Sequence, residues 1–292
     1  KTVLFWFLQN LLCAEPSADW QPCGNCSGCQ QLQYGSWPDL HLIKKAEDKK
    51  NISIEQIRNL LQKLSMSSFL NGYKIGIIYD AQTLSLAAAN ALLKQLEEPN
   101  DQVLIFLLCN DVQDVPLTIA SRSQVLYFQP IATTLIYDYL VKEKNLKRSQ
   151  AKNIAQLSMG RLGLAERWLE DQNSYQQHLQ IARGFLSGFN SDLNNRLSVI
   201  NDLLGRASGQ SASQQAFNII AIWQNVLRDI LLYNQGENDL IQHQALLDDI
   251  KRLSQQPPQR FLQANQLLTT ARQYLQANVN SKIVLEQAII NF

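Results

Sequence analysis

Short apolar runs alternate with stretches of helical periodicity through the first 130 residues. Residues 74–80 are β-branched and nearly all apolar, which predicts a parallel strand that is buried on both faces and ends at an acidic residue. Similar runs at 39–43 and 101–109 predict two more strands. Helices are predicted over 54–64 and after Ser85, a good N-cap. This order favours a parallel α/β sheet with right-handed crossovers.

Beyond a short predicted strand at 125–128 and a boundary at Pro130, the pattern is wholly helical. It predicts one helical region over 131–172, interrupted at 160–163, and five or six amphipathic helices over 173–292. The predicted breaks fall at Gly188, Gly205, Gly209, Gly236 and Pro257. The chain is therefore predicted to form three domains: 1–130, 131–172 and 173–292.

Composition narrows the classes of function. The 292 residues are 46% hydrophobic and carry a formal net charge of +1. Without a global basic field, any contact with DNA must be local or made by partners. No apolar run reaches the 18 residues of a membrane span, and no signal-peptide pattern is found. A cytoplasmic protein is expected.

Four cysteines follow a metal-ligand pattern, with Cys13, Cys23, Cys26 and Cys29 in a loop rich in Gly and Pro. Four thiolates at this spacing predict a closed, structural Zn²⁺ site. Two disulfides would require an oxidising compartment, and a redox-active Cys-x-x-Cys would leave two cysteines unexplained. Cys109, at a predicted strand end, is expected to be a small buried residue.

Residues 90–99, NALLKQLEEP, follow the strand that ends at Asp80 and precede Ser121-Arg122-Ser123. With these flanking residues, the motif resembles the one found in the clamp-loader branch of the AAA+ ATPases. A core strand and helix without a ligand would explain the hydrophobicity but not the string itself. The resemblance includes the four-cysteine module, which this branch inserts at the same point.

The resemblance implies an α/β P-loop AAA+ core with a zinc insertion at 13–29. The core would be followed by a small helical lid over 131–172 and an all-α collar over 173–292. In this family five subunits form a ring through the collar. Lys1-Thr2 matches the end of a phosphate-binding loop. The first strand and the glycines of that loop are therefore expected upstream of Lys1.

Departures from the family pattern imply a subunit that does not hydrolyse ATP. The motor subunits, gamma and tau, carry an Asp-Glu pair for magnesium and water activation, where this chain has Tyr79-Asp80. Arg122 matches the family's arginine finger, which acts in trans on a neighbour's ATP.

A degenerate nucleotide site is implied at five positions, where ATP binding is not assured. Its candidate residues are Lys1, Thr2, Asp80, Asn110 and Arg161. Asn110 stands at the place of a polar sensor, and Arg161 lies near the place of the lid's sensing arginine.

The implied function is that of a stator subunit which helps load the sliding clamp onto primer-template DNA. Its partners would be the gamma or tau and the delta subunits of DNA polymerase III. Two alternatives are a gamma/tau-type ATPase motor with degenerate acids and a stand-alone zinc-dependent nucleic-acid binder. The three histidines, His41, His178 and His243, lack partners at catalytic spacing and receive no role.

Overall fold

The computed structural model describes residues 2–46, 49–69, 72–98, 102–205 and 207–292, without the side chain of Thr2. The chain forms two compact units, Lys1–Phe128 and Gln129–Phe292. Among the described residues, no helix is both long and apolar enough to cross a bilayer.

A three-stranded parallel sheet forms the centre of the first unit. The strands, in the spatial order β1-β2-β3, are β1 (Leu40–Ile43), β2 (Lys74–Ile78) and β3 (Val103–Leu107). The register pairs Leu40 with Ile75 and Lys74 with Val103. All five residues of β2 are buried, as expected of a central strand covered on both faces.

Helices cover both faces of this sheet. They are α1 (Thr2–Leu12), α2 (Ser27–Gln33), α3 (Ile54–Ser65), α4 (Leu86–Glu97) and α5 (Leu117–Ala120). Successive strand residues point to opposite faces. Ile75, Ile77 and Tyr79 therefore pack with α1 and α2, whereas Ile78 packs with α3 and α4.

The predicted strands and helices of the first unit are confirmed, with one exception. Residues 125–128 form neither strand nor helix, and their side chains are 40% to 72% exposed. A strand requires a hydrogen-bonded neighbour, and none of the described strands pairs with this run. Pro99 and Asp101, at the predicted ends of a helix and a strand, lie outside the described residues.

The described part of the second unit is wholly helical. Its helices are α6 (Thr133–Lys142), α7 (Arg148–Leu157), α8 (Leu162–Glu170), α9 (Gln172–Gly188), α10 (Leu193–Leu204), α11 (Gly209–Asn234), α12 (Leu247–Leu253), α13 (Pro258–Gln276) and α14 (Ser281–Ile290). The last six are the helices predicted from residue 173 onward. Four of their breaks lie at or beside the predicted Gly and Pro positions, whereas the break between α13 and α14, at residues 277–280, contains neither residue type.

One hydrophobic core extends through the second unit from Ile136 to Ile289. Asp171 caps both the end of α8 and the start of α9. Across this junction the Trp168 ring lies 5.7 Å from that of Tyr175 and 5.3 Å from that of His178. The division between 172 and 173 stays a prediction.

Candidate functional site

The four-cysteine cluster is assembled by the end of α1 and the start of α2. Cys13 directly follows α1, and Cys26 is the N-cap residue of α2. Gly24 adopts a positive φ of 73°, a conformation that favours glycine in the tight turn between Cys23 and Cys26. At Gly28, an added Cβ would lie 2.3 Å from the carbonyl oxygen of Leu12, so only glycine allows the two helices to come this close.

The sulfur positions suit a tetrahedral metal ion. All four Sγ atoms lie within 4.8 Å of one another, and those of Cys13 and Cys26 are 3.9 Å apart. Four sulfurs about 2.3 Å from a central Zn²⁺ would be separated by about 3.8 Å, whereas a disulfide requires about 2.05 Å. The four cysteines are free thiols. The cluster could therefore hold a metal ion.

Backbone N–H groups point toward the sulfurs and favour thiolates. The amides of Cys23, Cys26 and Cys29 donate to the sulfurs of Cys13, Cys23 and Cys26, at 3.3 to 3.5 Å. Backbone hydrogen bonds, from Ala14 first and Cys29 second, lower the pKa of Cys26 to about 6. Burial raises the pKa of the Cys29 thiol to about 12. A bound cation would supply the positive charge that stabilises a buried Cys29 thiolate.

Tyr79 follows β2 and fills an apolar cluster. Only 5% of the residue is exposed, and it packs with Leu8 and Ile77. Burial raises the pKa of its hydroxyl above the ordinary value, so the side chain is neutral at pH 7. The Lys44 ammonium lies 5.0 Å from the ring centroid. This position therefore offers an aromatic face to a cation rather than a carboxylate ligand.

Asp80, the next residue, is exposed and turns the chain away from the sheet. Its φ of 52° is left-handed, and its carbonyl oxygen accepts a hydrogen bond from the Thr83 amide at 2.7 Å. The amide of Ala81 donates to the Leu108 carbonyl at 2.8 Å, which joins the ends of β2 and β3. Asp80 and Asn110 follow the ends of adjacent strands, two residues after β2 and three residues after β3.

The remaining candidates of the nucleotide site are Lys1, Thr2 and Arg161, and the described residues contain only part of this set. Lys1 lies outside them, and so does the side chain of Thr2. Arg161 belongs to the second unit, where its Nε donates to the Ser158 carbonyl at 3.3 Å. Cys109 is exposed, which makes the prediction of a buried residue wrong, because β3 ends two residues before it.

Arg122 lies just after α5 with a partly exposed side chain. Its Nη1 donates to the Thr118 carbonyl at 3.1 Å, and its Nη2 lies 2.9 Å from Oε1 of Glu97. Sequence reasoning missed this partner. Glu97 belongs to the string that carried the resemblance, 25 positions before Arg122, and no local pattern links the two.

Two histidines that received no role meet inside the second unit. His243 Nδ1 lies 2.7 Å from Oδ2 of the buried Asp229, and His178 Nε2 lies 3.2 Å from His243 Nε2. If His243 donates its Nδ1 proton to the carboxylate, its Nε2 accepts from His178. Burial first, then the charges of His243 and Arg161, lower the pKa of His178 to about 3.

Two family models match the chain. The model described as "DNA polymerase III, delta subunit" matches residues 1–132, and "DNA polymerase III, delta subunit, C terminal" matches residues 176–292. Together they cover most of its length.

Relatives of known name agree with these models. A DNA polymerase III subunit delta' of Bacillus subtilis is 27% identical over 97% of the chain and 83% of that relative. The subunit delta' of Escherichia coli is 32% identical over 53% of the chain, but the match spans only 46% of that relative. The subunit tau of B. subtilis is 25% identical over 97% of the chain and 53% of its own length.

Proposed function

Because this chain belongs to the delta-prime family of DNA polymerase III clamp-loader subunits, we propose that it is a stator subunit without ATPase activity of its own. In this role it joins gamma or tau and delta subunits in a five-membered ring. The ring loads the sliding clamp onto primer-template DNA in the bacterial cytoplasm.

The observation that carries this proposal is the packing of Tyr79. Mg²⁺ in a nucleotide site is held by carboxylate and phosphate oxygens. Here the aromatic side chain belongs to the apolar cluster of α1, α2 and β2, and Asp80 is an exposed turn residue. The arrangement supports a subunit that lacks the metal ligand of the motor subunits.

A gamma/tau-type motor is the second candidate, favoured by the match to the B. subtilis subunit tau over nearly the whole chain. Its chemistry requires a metal ligand and a general base near the end of β2. A neutral phenol cannot replace the acidic ligand at position 79. We therefore rank this candidate second.

The proposed role of Arg122 is to complete the ATP site of a neighbouring motor subunit. The side chain is 38% exposed and lies at the surface. A guanidinium is permanently charged and offers paired N–H donors that match phosphate oxygens. In related enzymes such an arginine contributes about 10³ to 10⁵ in rate.

The proposed ligand of the four-cysteine cluster is structural Zn²⁺. All four ligand positions would be filled by Cys13, Cys23, Cys26 and Cys29, so no open position would remain for catalysis. When bound, the ion would join the loop between α1 and α2 into one folded module.

The experiment replaces Arg122 in a reconstituted loader. Arg122→Ala is expected to leave ring assembly intact and to lower the clamp- and DNA-stimulated ATPase partially, because only one ATP site faces this subunit. Arg122→Lys is expected to recover little, since an ammonium cannot make the two-pronged contact. The measurement is steady-state ATPase and clamp loading at equal assembly.

Arg58→Ala, at an exposed arginine on α3, is the matched control and should behave like the parent. The parent chain assayed alone should show no turnover above background. Turnover of ATP by the isolated chain would favour the motor candidate. An unchanged ATPase of the loader with Arg122→Ala would show that Arg122 is an ordinary surface residue.

A further inference from the structure

The guanidinium of Arg122 is held by two different elements. On the side of α5, Nη1 donates to the Thr118 carbonyl at 3.1 Å and to Ser121 Oγ at 3.4 Å. From α4, Glu97 Oε1 approaches Nη2 to 2.9 Å. Both outer nitrogens of the side chain are therefore engaged within the chain itself.

Glu97 occupies a position that helix electrostatics disfavours. It is the last residue of α4, where the helix dipole places partial negative charge. A carboxylate there is stabilised by a cation, and Arg122 is the cation it contacts at 2.9 Å. The pair thus joins the end of α4 to the turn that carries the arginine.

We infer that Glu97 is a positioning residue for Arg122, an inference that rests on the proposed arginine finger. A long arginine side chain loses rotamer freedom when it binds a phosphate. Contacts to Glu97 and Thr118 restrict that freedom before the neighbouring subunit arrives. Binding then requires less ordering, as with other preorganised groups.

The geometry of the Glu97–Arg122 contact favours a role in positioning the guanidinium over one that keeps it from binding a phosphate. One carboxylate oxygen approaches one nitrogen, in contrast to the two-pronged pairing that would occupy a full edge of the guanidinium. The two side chains are 38% and 50% exposed, so water screens their attraction. Such a pair orients Arg122 while leaving it able to contact a phosphate.

The strength of an exposed pair sets the size of the effect. Such pairs change equilibria by up to about fivefold. Glu97→Gln in the reconstituted loader is therefore expected to lower kcat of the stimulated ATPase about three- to fivefold, while the KM for ATP stays unchanged. Glu97→Asp, which keeps the charge but is one methylene shorter, should lie between Glu97→Gln and the parent.

The controls separate positioning from a general charge effect. Glu98→Gln removes the same charge one residue later, also at an exposed site, and should leave kcat unchanged. In the Arg122→Ala background, Glu97→Gln should have no further effect, because no guanidinium is left to position. Thermal unfolding and ring assembly are compared for all variants.

The outcomes distinguish this inference from the proposed function. If Arg122→Ala has no effect, the arginine finger fails and the inference fails with it. If Arg122→Ala lowers the ATPase and Glu97→Gln does not, only the inference is overturned. A rise in kcat with Glu97→Gln, or a further loss in the Arg122→Ala background, also overturns it.

Discussion

The predicted metal site can be tested by replacing a single side chain, because each thiol supplies one ligand. Cys26→Ser is expected to release zinc and to unfold the loop between α1 and α2, since ligand binding and local folding are coupled. The measurement is zinc content per chain by elemental analysis, with a parent value of one.

Cys109→Ser is the matched control for this loss. Cys109 is also a free thiol, but it is not part of the cluster, so its variant should keep the metal. A parent without zinc, or full occupancy in Cys26→Ser, would contradict the four-thiolate site.

Individual residues also show where sequence reasoning succeeds. Spacing along the chain identifies the four cysteines, and a place before a periodic run identifies Ser85 as a cap. The Ser85 Oγ accepts a hydrogen bond from the Ala88 amide at 3.2 Å. The pairing of Glu97 with Arg122 was not predicted. It depends on how α4 and α5 pack, and spacing along the chain does not encode that.

At the scale of elements, the turn between α7 and α8 depends on one glycine. Gly160 has a φ of 77°, and an added Cβ would lie 2.5 Å from the Pro130 Cβ and 2.8 Å from the Ile131 carbonyl oxygen. Gly160→Ala is therefore expected to destabilise the protein by about 2 to 4 kcal/mol, from left-handed strain and overpacking. Urea unfolding followed by circular dichroism measures this change.

At Gly163, in the same segment, an alanine is expected to have the opposite effect on stability. It is exposed in the first turn of α8, and an added Cβ would meet nothing within 4 Å. Gly163→Ala should stabilise the protein by about 0.5 to 1 kcal/mol, because alanine loses less backbone entropy in a helix. Equal effects of the two substitutions would refute this account of the turn.

At the scale of the whole molecule, a cluster of the buried Asp229 and His243 with the partly buried His178 links α9, α11 and the segment that follows α11. With its pKa lowered to about 3, His178 stays neutral in the folded protein at pH 5, whereas the unfolded chain binds a proton below about pH 6.5. The unfolded state therefore binds more protons between these values, and stability falls as the pH falls through this window.

This linkage predicts that the parent loses about 2 kcal/mol of stability between pH 6.5 and pH 5 through His178 alone. His178→Gln should show a correspondingly smaller loss over the same interval. Urea unfolding of both proteins at the two pH values provides the test. Parallel pH profiles would show that His178 does not couple protonation to unfolding.

Features that depend on neighbours along the chain follow from the amino-acid sequence alone. Strands at 39–43 and 74–80, helices at characteristic periods and the four-cysteine spacing are local patterns, and the structure reproduces them. Which distant groups meet depends on how the folded elements pack. Residues 125–128 have strand composition but no strand beside them in the described chain. His178 and His243 meet across 65 positions, and Glu97 meets Arg122 across 25. Such contacts arise from packing between elements, which periodicity within one element does not specify.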